Sequence, residues 1–293
     1  MEMKKIILMA VFSFSIILLV ACGSDDASGD GEGKLAELKD KGTVTVGFAN
    51  EKPYAYQEDG ELKGAAVDIA TAVFKEMGID TIEGKLSEFG QLIPGLNAGK
   101  FDVITAGMAI NPDRCENADF GEPEMMYGEG LIVQKGNPKD LHSYKDIAES
   151  GATVSIMSGA TENEYVKHEG VEDKQIQSAS DIPATFSAVE SGRADATTGT
   201  EMTVKMALES SGNDKLEFVE DFEQPDIEGI PSYGAAAFHK DNDELREAYN
   251  EQLAKLKEDG TVNEILEANG FSAEGNSVPK DITTEGVCSG EQY

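Results

Sequence analysis

The chain has 293 residues, 40% of them hydrophobic, and a formal net charge of −32. That length suffices for one large core or two moderate ones. So acidic a chain offers no basic face to nucleic acid, and such a surface suits solubility at high salt, where self-repulsion is screened.

The segment MEMKKIILMAVFSFSIILLVACGS holds Lys4 and Lys5, a short apolar run over 6–20, then Ala21-Cys22-Gly23-Ser24. A positive head, an apolar middle and a small-residue cut site predict a signal peptide over 1–21. The run is short for a spanning helix, which needs about 20 residues. Leu19-Val20-Ala21-Cys22 matches the bacterial lipobox, in which Cys22 carries the lipid; an ordinary signal peptide with a chance cysteine is the other reading. GSDDASGDGEG is small and acidic, so 22–37 reads as a flexible tether. The expectation is an exported globule, lipid-anchored on the extracellular face of the cell membrane.

TVTVGFA (43–49) alternates and is β-branched, which predicts a strand. GAAVDIATAVFKEMG follows, with Ile69, Val73 and Met77 on one face and Gly78 as a stop, an amphipathic helix. IDTIEGKL reads as a strand, EFGQLIPGLNAG as a short helix and FDVITAG as a third strand. This β-α-β-α-β order implies a parallel sheet with right-handed crossovers. The second half repeats it: ATVSIM, ATENEYVKHEG, QIQSA, IPATFSAVESG and ADATTG. Between the halves lies YGEGLIVQKGNP; after them come SYGAAAFHKDN and two amphipathic helices, ELREAYNEQLAKLKEDG and VNEILEANGF. Two apolar extended segments bracketing an inserted α/β unit predict two lobes joined by two crossing strands. Cys115 and Cys288 either form one disulfide or remain separate thiols; an oxidising compartment favours the bridge, which would pin the polar C-terminal tail.

Ligands of open parallel sheets bind beyond the carboxyl ends of the strands. This chain places Glu51, Tyr54 and Tyr56 after its first strand, Phe89 after the second, and the N–H groups around Gly107 and then Arg114 after the third. The second lobe offers Ser158, Thr161 and Glu162, then Thr200 and Glu201. A guanidinium fork matches a carboxylate, Tyr54 and Phe89 present ring faces to a cation, and Glu51 accepts from cationic nitrogens. Such a cleft suits a small zwitterion. Plainer readings exist: Arg114 in a surface ion pair with Asp113 or Glu116, Phe89 and Tyr54 as packing, Glu51 as a solvated acid. His142, His168 and His239 lack metal-ligand spacing, and no nucleophile elbow, phosphate loop or dinucleotide fingerprint is present. No metal, cofactor or catalytic residue is therefore expected.

GTVTVGFANEKPYAY, EFGQLIPGLNAGKFDVITAGMAINPDRCENADF and SGRADATTGT resemble the extracellular solute-binding proteins of polar amino-acid ABC importers, over about residues 38–272. The resemblance implies an α/β periplasmic-binding-protein-like fold of type II. Two lobes with parallel-rich sheets flanked by helices are joined by two hinge strands, and the PDR arginine, here Arg114, grips a carboxylate. It places lobe 1 at 38–132 and 236–293 and lobe 2 at 133–235, with hinging near 132–135 and 234–238. Within the family, GFANEKPYAY, EFGQLIPGL, PDRC and KGNPKDLHSYKDIA are most similar to the ectoine/hydroxyectoine-binding subunit. That likeness implies a ring-binding cage of Tyr54, Phe89 and Glu51, with Thr161 and Arg114 at the carboxylate. A third cage aromatic would fall near Ala109, which is not aromatic, weakening affinity or shifting preference. Thr200 stands about where amino-acid binders carry an Asp for the α-ammonium, which fits a ligand without one, such as ectoine.

The implied role is a monomeric, non-enzymatic lipoprotein that captures ectoine or hydroxyectoine for a membrane permease, with Thr161 and Thr200 closing over the ligand. The alternative is the same role for a polar amino acid, with Glu162 or Glu201 replacing the missing Asp. Two other classes are a dehydratase on the same fold and a sensing subunit for a membrane receptor.

Overall fold

The computed structural model describes residues 33–292. The expected signal peptide, Cys22 and most of the tether lie outside the described residues. The tether ends sooner than expected, because Lys34–Lys41 is a helix. Leu35 and Leu38 sit three positions apart on one face and are buried in the first core, while Lys34 pairs with Asp102 at 2.7 Å.

The strands in chain order are β1 (Thr43–Phe48), β2 (Tyr56–Glu58), β3 (Glu61–Lys63), β4 (Thr81–Leu86), β5 (Val103–Ala109), β6 (Asp119–Phe120) and β7 (Met125–Tyr127). After them come β8 (Glu129–Gln134), β9 (Val154–Met157), β10 (Ile176–Ala179), β11 (Ala196–Thr200), β12 (Leu216–Phe218) and β13 (Ser232–Phe238). One sheet runs β4-β1-β5-β13-β6, with β7 also on β13; the other runs β10-β9-β11-β8-β12, and β2 and β3 form a hairpin. β1 is parallel to β4 and β5, and β9 is parallel to β10 and β11. Each half thus forms the parallel unit its β-α-β-α-β order requires, and each sheet then gains an antiparallel strand, β13 on β5 and β8 on β11.

These last pairings move the lobe boundaries. β8 lies wholly in the second sheet and β13 wholly in the first. The chain therefore crosses at Gly128 and again between β12 and β13, not at 132–135 and 234–238. Those expected hinges are ladder members, and bending them would break sheet hydrogen bonds. Gln224, on the returning crossing, holds Glu129 from both sides: its Oε1 accepts from Glu129 N–H at 2.8 Å and its Nε2 donates to Glu129 O at 2.7 Å.

In the first lobe the helices Ala65–Glu76 and Asp243–Glu258 cover the sheet, with Tyr249 edge-on to Phe74 and Phe238. Leu131, Val133, Tyr144, Ile147, Val154 and Tyr165 share the core of the second lobe. A third cluster draws Phe89 and Leu92 from the first lobe together with Met157, Ile182 and Phe186 from the second, so the lobes are closed on each other. Cys115 and Cys288 are joined by a disulfide, and the helix Thr284–Cys288 is seated on the first lobe by buried Val287 and by Thr284 Oγ1 donating to Gly121 O. No helix among the described residues is long and apolar enough to cross a membrane.

Candidate ligand-binding cleft

The loop after β1 turns back on itself, Glu51 pairing with Ala55, and delivers Glu51 and Tyr54 to the cleft. Tyr54 is 2% exposed and lies edge-on to Tyr127 and Phe271, each ring centroid 5.3 Å away. Its ring packs against β5 at Gly107, where a Cβ would lie 2.3 Å from Tyr54 Cδ1 and φ is +58°. Glycine is required there on both counts. The Tyr127 hydroxyl donates to Gly107 O at 2.6 Å, fixing the second ring.

Arg114 belongs to the short helix Pro112–Cys115. Its N–H is capped by Asn111 Oδ1 at 2.7 Å, and proline at the first helical position costs no hydrogen bond. Nη1 donates to Ala109 O at 2.7 Å, Nη2 to Gly159 O in the other lobe at 2.9 Å, and the Phe89 ring centroid is 5.4 Å from Cζ. The guanidinium thus turns to carbonyls and a ring, not to Asp113 or Glu116. From the second lobe, Thr161 and Glu162 stand at the start of the helix Glu162–His168, and Thr200 stands at the end of β11. Thr200 Oγ1 donates to Thr203 Oγ1 at 3.0 Å, and Thr203 donates across the cleft to Glu51 Oε1 at 2.8 Å.

Glu51, Tyr54, Phe89, Gly107, Ala109, Arg114, Thr161, Glu162 and Thr200 all border one cavity of about 30 Å³ between the lobes. Other candidates lie elsewhere: Glu201 pairs with Lys205 at 2.6 Å, and Tyr56 faces a separate groove beneath Lys52. Sequence reasoning missed Tyr127, which borders the cavity and supplies a third ring where Ala109 has none. It also missed Thr203 and Glu129. Thr203 had a usable signal, three positions after Thr200 at a helix start; Tyr127 and Glu129 sat in a segment that reads only as a connector.

The site is acidic and dry. Burial pushes the Glu51 carboxyl up to about 7, with nearby Glu162 adding to the shift and Thr203 and Arg114 opposing it. Burial raises Glu162 as well, and raises Glu129 well above the usual carboxylate range, with Glu162 as its charged neighbour. The Tyr54 hydroxyl and both Glu129 oxygens are buried with no hydrogen-bond partner among the described residues. One guanidinium therefore faces several acids and rings inside a closed cleft, with no grouping of His, Cys, Asp or Glu fit for a metal among the described residues.

Two α/β lobes closing on a charged, ring-lined cavity define a binding protein for a small solute. The chain belongs to the bacterial extracellular solute-binding proteins, family 3, which it matches over residues 44–270. It is 38% identical over 260 residues, 87% of this chain and 86% of the relative, to a probable amino-acid ABC transporter periplasmic-binding protein of Sinorhizobium fredii. The structure of EhuB in complex with hydroxyectoine superimposes with a TM-score of 0.79 at 34% identity, covering 87% of this chain and 97% of that one. An ancestral arginine-binding protein bound to arginine gives 0.67 at 30% identity, covering 78% and 98%. The chain is thus the solute-binding component of an amino-acid-type ABC importer, in a family of extracellular binding proteins rather than enzymes.

Proposed function

We propose that the chain captures ectoine or hydroxyectoine between its lobes and delivers it to an ABC permease, held to the cell surface by lipid on Cys22. The observation that carries this reading is a single small cavity bordered at once by Arg114, Glu51 and the rings of Tyr54, Phe89 and Tyr127. A cyclic amidinium carrying one carboxylate meets each of these groups: carboxylate to Arg114 and Thr161, ring to the aromatics, N–H donors to Glu51. Glu51 already accepts from Thr203 in the opposite lobe, so a ligand held by Glu51 also holds the lobes together. The likeness to a hydroxyectoine complex supports the same choice.

A second reading, a cationic amino acid, is favoured by the excess of buried acids over Arg114 and by the likeness to an arginine complex. Calorimetric titration with ectoine, hydroxyectoine, arginine and glutamine separates the two. Ectoine or hydroxyectoine is expected to bind at least about tenfold tighter than either amino acid; tighter arginine binding transfers the site to the second reading, and silence from all four overturns both. For the anchor, mass spectrometry of the membrane fraction should find acylated Cys22, and an unmodified or cleaved-away cysteine removes that part.

A further inference from the structure

One buried acid has no part in the binding scheme above. Glu129 is 1% exposed, and neither of its oxygens finds a hydrogen-bond partner among the described residues. Side chains alternate along a strand, so Glu129 shares the face of β8 that carries Leu131 and Val133, which pack with Tyr144, Tyr165 and Ile147. Its register partner on β11 is Thr200, which borders the ligand cavity. Its carboxyl therefore lies behind the cleft lining, beside that of Glu162, which does border the cavity. Two carboxyls side by side in a dry site cannot both ionise without large cost.

We propose that Glu129 is a specificity-determining residue of the cleft: with Glu162 it shares one proton in the empty site and surrenders that proton when the cationic end of a ligand arrives. This rests on the zwitterion-binding reading above and extends it to the ligand's positive end. The groups facing the pair are consistent with it. Glu51 and Glu162 oppose ionisation of Glu129, while Tyr144 favours it. Arg114 acts on Glu162 but is claimed by the ligand carboxylate once the site fills. Tyr54 and Tyr144 face both acids and Tyr127 faces Glu129, and burial keeps all three hydroxyls protonated and uncharged. An arriving amidinium or guanidinium supplies the missing positive charge, so the pair loses its proton and the ligand gains a second anionic contact. A neutral ring of the same size leaves the proton in place.

Titration calorimetry of the full chain in buffers of different ionisation enthalpy counts the protons exchanged. With ectoine as the probe, wild type should release protons at pH 7, and affinity should rise with pH to match. Glu51 contributes near pH 7, so the decisive measurement is at pH 8.5, where Glu51 is already ionised: release should persist in wild type and disappear in Glu129→Gln. The ratio of ectoine to pyroglutamate affinity should also shrink at least about threefold in Glu129→Gln. Should that variant not fold, the wild-type count at pH 8.5 decides alone. No release at pH 8.5, or equal counts in wild type and variant, overturns the proposal. Absence of any binding by ectoine and arginine alike would instead overturn the functional reading itself.

Discussion

Arg114 is the residue on which the cleft turns. Its backbone is fixed by the Asn111 cap and one arm of its fork by Ala109 O, so it enters the site preorganised, and Gly159 O joins the other arm where the lobes meet. Arg114→Ala removes the partner of a desolvated carboxylate, and should weaken the best ligand by roughly 100-fold or more, about 3 kcal/mol; unchanged affinity in a calorimetric titration would move the carboxylate site elsewhere. Glu51 tells the opposite story about stability. Its folded-state value, about 7, lies above the ordinary 4.5, so the folded protein takes up a proton as pH falls between these values. The burial penalty is thus complete above about pH 7 and gone below about 4.5, at most about 3 kcal/mol. Ligand-free Glu51→Gln should melt several degrees higher than wild type at pH 8 and equally at pH 4.5, while binding ectoine at least about tenfold more weakly. A melting temperature unmoved at pH 8 would show that Glu51 carries no such penalty.

At the scale of elements, most strands and helices were legible because local chemistry and burial agree. TVTVGF alternates and pairs on both sides as β1; the helix Ala65–Glu76 buries Ile69 and Val73, on the face its spacing defined, with Met77 buried just past its end. Where composition alone was used, the reading slipped. Lys34–Lys41 was counted partly as tether because its surroundings are acidic and small, yet Leu35, inside the span read as tether, is buried in the first core. Leu35→Ala should therefore cost about 2–5 kcal/mol in chemical denaturation, whereas a residue of a true tether would cost nothing measurable. The hairpin of β2 and β3 around Asp59-Gly60 went unread, although Asp-Gly between short runs is a turn signal. The hinge positions were misplaced for a different reason: an apolar crossing strand looks the same in sequence whether it flexes or is locked into a ladder.

On the scale of the whole molecule, function depends on two lobes meeting. One close approach is glycine to glycine: a Cβ on Gly159 would lie 2.6 Å from Gly90 Cα, and Gly159 has φ +81°. Gly159→Ala should block full closure, lowering ligand affinity at least about tenfold and abolishing the decrease in radius of gyration expected in small-angle scattering when ligand is added to wild type. Normal compaction on ligand addition would show that the lobes close by another route. The disulfide between Cys115 and Cys288 ties the C-terminal helix to the segment bearing Arg114, so the tail belongs to the first lobe.

The sequence by itself determined the two α/β halves and the strand ends where Glu51, Tyr54, Phe89, Arg114, Thr161 and Thr200 emerge, because periodicity and strand-end placement are local properties. Only the tertiary structure decided that Tyr127 supplies a ring, that Thr203 bridges the lobes to Glu51, and that Glu129 lies beside Glu162 with no hydrogen-bond partner for its carboxyl among the described residues. It alone also decided where the chain crosses between lobes. Those facts depend on burial and on partners up to 152 positions apart in the chain, and a residue's desolvation and charge state come from what folds around it, not from its neighbours in sequence.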